Sequence, residues 1–288
     1  PHALTNSEIV GFCQLHKDDR SRLLSPDESG TKVIKLTDQV VVKFGRSVRL
    51  QEASAQDLAF KNTDCEVLRI PKVYRFFSQQ ESKWDSVGYL VMEKIDGVNL
   101  EQLGDWDKAE IVSRVTTVLN ALHSIPGTCP GPISGGEAYG YLYAQKSSGT
   151  EFSTINDLES YLNERLAFFE RKISLGGQHL CLCHMDVAPR NFIMDVYGRL
   201  CLLDWATAGF YPRYFELWSL EFADTCSSHQ FGPVLLQSLK ATAAETMEIE
   251  NLNLVYRFNM RCRTKAYDEQ TEEIMAAIGK TSKDESYS

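Results

Sequence analysis

The sequence has no long hydrophobic run: no apolar stretch approaches the ~18 residues that a membrane-spanning helix requires, so no membrane partner is expected. The start, Pro1-His2-Ala3-Leu4-Thr5, has no basic region followed by an apolar one. No secretory leader is therefore expected, and an initiator Met is missing. Basic charge is short as well, with 30 Lys and Arg against 39 Asp and Glu, a net charge of −9. Broad contact with a phosphate backbone needs a basic face, so nucleic acid is not an expected partner. The surplus of acid fits a neutral partner or a cationic one, such as an amine or quaternary-ammonium compound, better than an anionic one. The eight cysteines (13, 65, 129, 181, 183, 201, 226 and 262) form no Cys-x-x-Cys pair and no disulfide-framework spacing. Asn-x-Ser/Thr sequons are absent too, and a reducing, cytoplasmic setting is expected. Cys181, Cys183 and Cys201 sit in apolar runs, where a thiol serves as a small buried hydrophobe.

What is present is enough to build one large domain or two lobes around a cleft: 288 residues, 43% of them hydrophobic. The first ~90 residues are strand-rich. Leu23-Leu24 reads as the end of a first strand. The runs 33–36 and 40–44 read as a hairpin, and 73–77 and 89–92 as two further strands. Residues 49–60 read as a helix packing through Leu50, Ala53, Leu58 and Ala59. From about residue 94 the pattern turns helical. Ile111, Val115, Val118, Leu119 and Leu122 share one face of a helix over 108–123. Pro and Gly punctuate 126–136, and Ile155, Leu158, Leu162, Leu166, Phe169 and Ile173 trace another helix. Segments 216–223, 233–247 and 252–263 read as helices, and 280–288 as a frayed tail. The expected division is a strand-rich lobe over 1–93 and a helix-rich lobe over 94–288.

The chemistry concentrates in His184-Met185-Asp186-Val187-Ala188-Pro189-Arg190-Asn191, followed by Leu200-Cys201-Leu202-Leu203-Asp204-Trp205. Phosphoryl transfer needs an Asp to accept the proton of the attacking hydroxyl, and an Asn and a second Asp to hold metal ions. Asp186 and Asn191 are five residues apart on one tight loop. The hairpin from Phe192 through Gly198 to Leu203 returns Asp204 beside them, so three oxygen-bearing side chains converge on a hard cation such as Mg²⁺. His184 reads either as a metal ligand with Cys181 or Cys183, or as a residue that orients the loop. Arg190 reads equally as a phosphate or substrate contact and as an ion-paired loop residue. Glu216 reads as an anchor for the loop after Asp204, and Trp205 and Trp218 as core.

This pattern resembles the catalytic and metal motifs of the aminoglycoside phosphotransferase and choline kinase-like family. The stretch Asp204-Trp205-Ala206-Thr207-Ala208-Gly209-Phe210-Tyr211-Pro212 is similar to that of its fungal members in particular. The resemblance covers roughly residues 32–221. It implies an α+β, bilobal protein-kinase-like fold and an enzyme, a phosphotransferase moving the γ-phosphoryl group of ATP, with Mg²⁺, onto an alcohol of a small molecule such as an aminoglycoside. Asp186 would be catalytic, and Asn191 and Asp204 the metal ligands. Lys43 would hold the α- and β-phosphates, with Glu52 its partner ahead of Asp57 and Glu66. Met92, Glu93, Lys94 and Ile95 would be the linker whose backbone meets the adenine. Residues 25–31 fall where a phosphate-covering hairpin belongs, yet contain a single Gly30 and no glycine-rich pattern. The chain departs from the family at Met185, often Gly, and at Ala206, often acidic, which bears on the shape of the substrate pocket. A non-catalytic nucleotide- or ligand-binding module on the same fold is the rival expectation, opposed by the intact acidic set. A protein kinase is opposed by the missing glycine-rich loop and Asp-Phe-Gly landmark.

Overall fold

The computed structural model describes residues 4–25, 30–81, 85–104, 107–144, 146–221 and 228–261. The chain begins with helix α1, Asn6–His16, closed by a capping box in which Thr5 and Glu8 satisfy each other's backbone N–H groups. Strands β1 (Lys32–Lys35) and β2 (Val40–Gly45) form the expected hairpin. Helix α2 (Leu50–Asn62) follows, then β3 (Val73–Gln80) and β4 (Ser86–Glu93). The four strands make one antiparallel sheet in the order β1-β2-β4-β3. Alternation along β2 sends Val40, Val42 and Phe44 to one face, where Ile9 and Cys13 of α1 pack on them. The other face, with Val48, Ala53 and Leu90, receives α2.

Beyond β4 come β5 (Gly97–Asn99), α3 (Leu100–Leu103), α4 (Ala109–His123), β6 (Glu137–Gly140), β7 (Lys146–Glu151) and α5 (Ile155–Leu166). Strands β8 (Leu180–Cys183), β9 (Phe192–Asp195), β10 (Leu200–Leu202) and β11 (Gly209–Pro212) follow. Helices α6 (Tyr214–Ser219), α7 (Ser228–Leu239) and α8 (243–261) complete the described chain. Short pairs β8–β11 and β10-β9-β5 lie among these helices, so a small antiparallel lobe adjoins a larger helical one, as expected. A single apolar core runs from Ala55 and Ala59 of α2 through α4 and α5 to Trp205 and Trp218, both fully buried.

Several elements differ from the sequence reading. Leu23 makes only an isolated bridge to Ile34, and the element ahead of the sheet is α1. The lobe thus has four strands in its sheet, and Lys43 lies on the second rather than the third. Leu50 is 51% exposed and does not pack. The hairpin β6–β7 occupies part of what reads as an irregular connection, and Ile173 is buried beyond the end of α5. The break between the last two helices falls at Lys240, whose φ of 50° lies in the left-handed region, eight or more residues before the expected one. Most of the phosphate-covering segment, Cys226, Cys262 and the polar tail lie outside the described residues.

The lobes are also joined away from the β4–β5 connection. The Arg69 N–H donates to the Leu200 carbonyl at 2.8 Å, and the Arg69 guanidinium reaches Glu93 at 2.6 Å and Asp195 at 3.0 Å. The Asp195 side chain is fully buried, yet it also accepts from Arg199 and from the Tyr197 and Arg199 amides. Burial pushes its carboxyl up, but these donors overcome that and hold it at about 2. The stability it contributes is therefore present above its ordinary value near 4 and is lost as pH falls toward 2. Asp195→Asn should lower unfolding free energy by roughly 2–4 kcal/mol in urea titrations at neutral pH. The deficit should shrink on acidification below pH 4; a deficit independent of pH in that range would show that charge is not the cause.

Candidate active site

Three segments deliver charge to one place. Lys43, the fourth residue of β2, is on the α2 face and is almost fully buried. Its Nζ lies 2.5 Å from Glu52 Oε1, in the first turn of α2, and 2.9 Å from Asp204 Oδ1. Burial works against the ammonium, but the two carboxylates outweigh it and hold its pKa above the ordinary lysine range. Burial pushes the Glu52 carboxyl up against the pull of Lys43. Desolvation by its neighbours opposes the charge of Asp204 although its side chain stays 44% exposed, but Lys43, with help from His184 and the Ala206 amide, holds it below the usual carboxylate range. Of the rival acids for Lys43, Asp57 pairs with Lys61 at 2.6 Å, and Glu66 is exposed beside Arg199.

The second cluster is the loop after β8. Asp186 accepts from Arg190 at 2.5 Å through Oδ1 and from Asn191 Nδ2 at 2.9 Å through Oδ2. Asn191 Nδ2 also reaches the Asp186 carbonyl at 2.7 Å, so the five-residue spacing closes a ring that fixes both side chains. This leaves the Asn191 amide oxygen as the atom it can offer a cation. The Asn191 carbonyl accepts from the Leu203 N–H at 2.8 Å, which ties the strand bearing Asp204 to this loop.

Both loops pass through the left-handed region at non-glycine residues, Met185 at φ 66° and Asp204 at φ 62°. Such positions cost roughly 1–3 kcal/mol each and persist only where surroundings enforce them. The enforcement is visible. Glu216, fully buried on α6, accepts from the His184 N–H at 2.5 Å and the Met185 N–H at 2.8 Å. Glu216 therefore anchors the loop before Asp186, not the one after Asp204. His184 is 3.0 Å from the Leu203 carbonyl through Nε2 and packs edge-on against Trp205. That bond fits the loop-orienting role, and among the described residues His184 joins no metal-holding group with Cys181 or Cys183. Met185 is buried in the core and adds no bulk to the pocket beside Asp186. Arg190 pairs with Asp186 and lies 3.4 Å from the Tyr141 hydroxyl.

Asp186 opens on a pocket of about 260 Å³ whose lining includes Ser47, Arg49, Tyr139, Tyr141 and Thr207, with Ala206 at its edge. Sequence reasoning singled out none of the first five for the site; Tyr139 and Tyr141 fall just past what reads as an irregular Pro/Gly stretch, which hid them. The linker residues Met92 and Glu93 end β4, and Lys94 and Ile95 follow it. Met92 Sδ meets Gln56, the Glu93 carboxylate holds Arg69 and the Lys72 N–H, and Lys94 pairs with Asp96. The Glu93 and Lys94 amides donate to Lys72 and Gln39 carbonyls, both at 2.9 Å, within the fold itself.

Antiparallel sheet, buried Lys–Glu pair, and Asp–Asn loop beside a second Asp define a kinase-like phosphoryl-transfer architecture. Residues 22–247 match the model of the phosphotransferase enzyme family, and the chain belongs to that family. Solved structures agree in fold. Aminoglycoside phosphotransferase APH(4)-Ia superposes with a TM-score of 0.57 at 14% identity, covering 96% of each chain. A thermostable mutant of it, in ternary complex with AMP-PNP and hygromycin B, gives 0.53 at 14% identity over 93% of this chain and 95% of that one. The GDP complex of an aminoglycoside 2'-phosphotransferase-IIIa mutant gives 0.52 at 14% identity over 95% and 97%. No curated protein matches the sequence.

Next to the anchored loop, His123 and Cys183 lie with Glu216 within 4.8 Å of one another. Burial, with Arg213, lowers the His123 pKa to about 4, and burial raises Glu216 to about 7. These have opposite linkage. Between pH 4 and 6.5 the unfolded chain binds the extra proton at His123, so stability rises with pH. Between pH 4.5 and 7 the folded chain binds it at Glu216, so stability falls. The two slopes oppose each other in the overlap. Glu216→Gln should remove the falling contribution, so that stability rises more steeply with pH between 4.5 and 6.5 in the variant than in the parent, as read in denaturant titrations. Equal slopes in the two proteins would mean that Glu216 does not titrate as assigned.

Proposed function

We propose that the protein transfers the γ-phosphoryl group of ATP directly to a hydroxyl of a small molecule, with magnesium as the metal. The observation that carries this reading is the convergence of Lys43, Glu52 and Asp204 on one point, tied through the Leu203–Asn191 hydrogen bond to the loop bearing Asp186. Asp186 orients the acceptor hydroxyl and takes its proton as the oxygen attacks the γ-phosphorus and ADP leaves. Arg190 and Asn191 hold the carboxylate in one orientation for that task. Lys43, kept charged, faces the α- and β-phosphates, and Glu52 fixes its reach. Asn191 and Asp204 offer hard oxygen donors of the kind magnesium takes, and the metal would neutralise charge on the phosphates.

The base of the nucleotide is assigned to the linker Met92 to Ile95. Because the Glu93 and Lys94 amides are used within the fold, the donor available to the base is the Ile95 N–H, together with linker carbonyls. A neighbour holding AMP-PNP supports an adenine nucleotide as donor. Lobes divided at 93/94 place this linker between them. Six described cysteines are free thiols, which supports a reducing, cytoplasmic setting. A neighbour holding hygromycin B and the net charge of −9 speak for a cationic, aminoglycoside-like acceptor, but that charge is spread over the whole surface and does not set the charge of the pocket at Asp186, whose lining includes Arg49. The fungal-type assignment rests on the 204–212 stretch alone.

Asp186→Asn should lower transfer by at least ~100-fold while ATP still binds, because this residue handles the acceptor and not the nucleotide. ADP release with a turned-over acceptor, and calorimetry for ATP, make the comparison; chelating magnesium should silence the parent. Turnover within tenfold of the parent would remove Asp186 from the catalytic role.

Lys43→Ala should weaken ATP by about 10–100-fold while changing adenosine little, since only the phosphates meet the ammonium. Glu52→Ala should act in the same direction more mildly, and the double variant should be less than additive. If adenosine and ATP weaken equally, Lys43 is a packing residue and the phosphate anchor is elsewhere.

A further inference from the structure

The acceptor pocket differs in charge from the rest of the surface. Of the residues that line it, Asp186 is the one acid, and both its carboxylate oxygens are already engaged by Arg190 and Asn191. Arg49 contributes a half-buried guanidinium to the same lining, with the Ser47 hydroxyl two residues before it. The Arg49 guanidinium carbon lies 3.1 Å from the centroid of the Tyr139 ring, a cation–π contact that restrains the guanidinium at the pocket. The guanidinium carries five N–H donors in a fork that matches carboxylate and phosphate oxygens. Burial lowers the Arg49 pKa, although Tyr139 and the exposed Glu137 support its charge. This cation is thus incompletely solvated, and an oxyanion arriving at it displaces little water. A polycationic acceptor would instead meet Arg49 as a like charge. The volume of about 260 Å³ lies below the ~300–1,000 Å³ usual for ligand pockets, so it suits a group no larger than one sugar ring beside Tyr139 and Tyr141.

We infer that the acceptor is a hydroxylated molecule of monosaccharide size carrying a carboxylate or phosphate group that Arg49 binds, an inference resting on the proposed phosphoryl transfer at Asp186. Its hydroxyl faces Asp186, and its oxyanion is the specificity handle that separates it from amino sugars. Arg49 positions the acceptor and takes no part in bond making.

The test uses the full chain with saturating magnesium and ADP, so that the nucleotide site is filled. Calorimetry then compares a matched series: glucose, glucosamine, gluconate and glucose 6-phosphate, with kanamycin added. The expected result is that gluconate or glucose 6-phosphate binds at least about tenfold tighter than glucosamine, and the two anions separate a carboxylate handle from a phosphate one. Arg49→Gln should abolish that preference and Arg49→Lys should keep part of it, with thermal unfolding confirming that both variants fold. The inference is overturned if glucosamine or kanamycin binds as tightly as the anions, if no anion in the series binds, or if the preference survives Arg49→Gln. It is also overturned if Arg49→Gln weakens ATP far more than ADP, which would assign the guanidinium to the γ-phosphate. Failure of the parent to bind ADP with magnesium would instead strike the phosphotransferase reading, and the two failures are distinguishable.

Discussion

The buried Lys43 ammonium, held between Glu52 and Asp204, is the contact on which the geometry of the site depends. It joins a sheet, the helix above it and a loop 161 residues further along the chain. A buried ion pair is weak evidence for stability, because desolvation offsets most of the attraction. Glu52 shows the cost, since its Oε2 is buried with no hydrogen-bond partner. A Met and a Leu at these positions would pack the same space without that penalty. Charge retained at such a place is better explained by what it meets in the cleft than by what it adds to folding. The 44% exposure of the Asp204 side chain points the same way, because one end of the triad opens to ligand.

The acidic loop is built by a different economy of contacts, in which strain at two residues is matched by anchors behind them. Met185 and Asp204 occupy left-handed backbone where glycine is easiest, and both flank functional positions. Glu216 grips the amides of His184 and Met185, Thr207 Oγ1 reaches the His184 carbonyl at 3.0 Å, and His184 reaches the Leu203 carbonyl. Glu216 and His184 hold the loop from the buried side, and Asp186 and Asp204 are presented outward. This explains how Met can replace the family's frequent glycine at 185. Its side chain finds a place in the core, and the carboxylate behind it holds the backbone turn.

The acidic set was legible in sequence because its spacing is local. Five residues from Asp186 to Asn191, and one tight hairpin to Asp204, leave the chain few ways to avoid convergence. The sheet was legible through β-branched runs, and α4 and α5 through their apolar faces. Helix α1 was missed although Thr5 and Glu8 carry a capping-box signature, because its buried face is only Ile9 and Cys13. Strand β7, with the sequence Lys-Ser-Ser-Gly-Thr-Glu, has no hydrophobic alternation to read, and it exists because β6 pairs with it. Arg49, Tyr139 and Tyr141 were invisible as a group for a different reason. They meet across some 90 residues of chain, and no spacing rule brings a helix cap to a hairpin.

The lobe boundary is where sequence and space part company. Composition changes at 93/94, and the linker follows β4 there. Yet residues 64–72, earlier in the chain, are bound to the hairpin that carries Asp204. The Arg69 N–H and carbonyl pair with Leu200 and Leu202, and Leu68 and Ile70 are buried in the larger core and not in the sheet. Moving this segment with the sheet would pull the Arg69 guanidinium from a fully buried carboxylate, which is a far higher barrier than bending exposed backbone. Residues 64–72 therefore bridge the two lobes, since Arg69 also grips Glu93 at the end of β4 and the Glu93 amide donates to the Lys72 carbonyl.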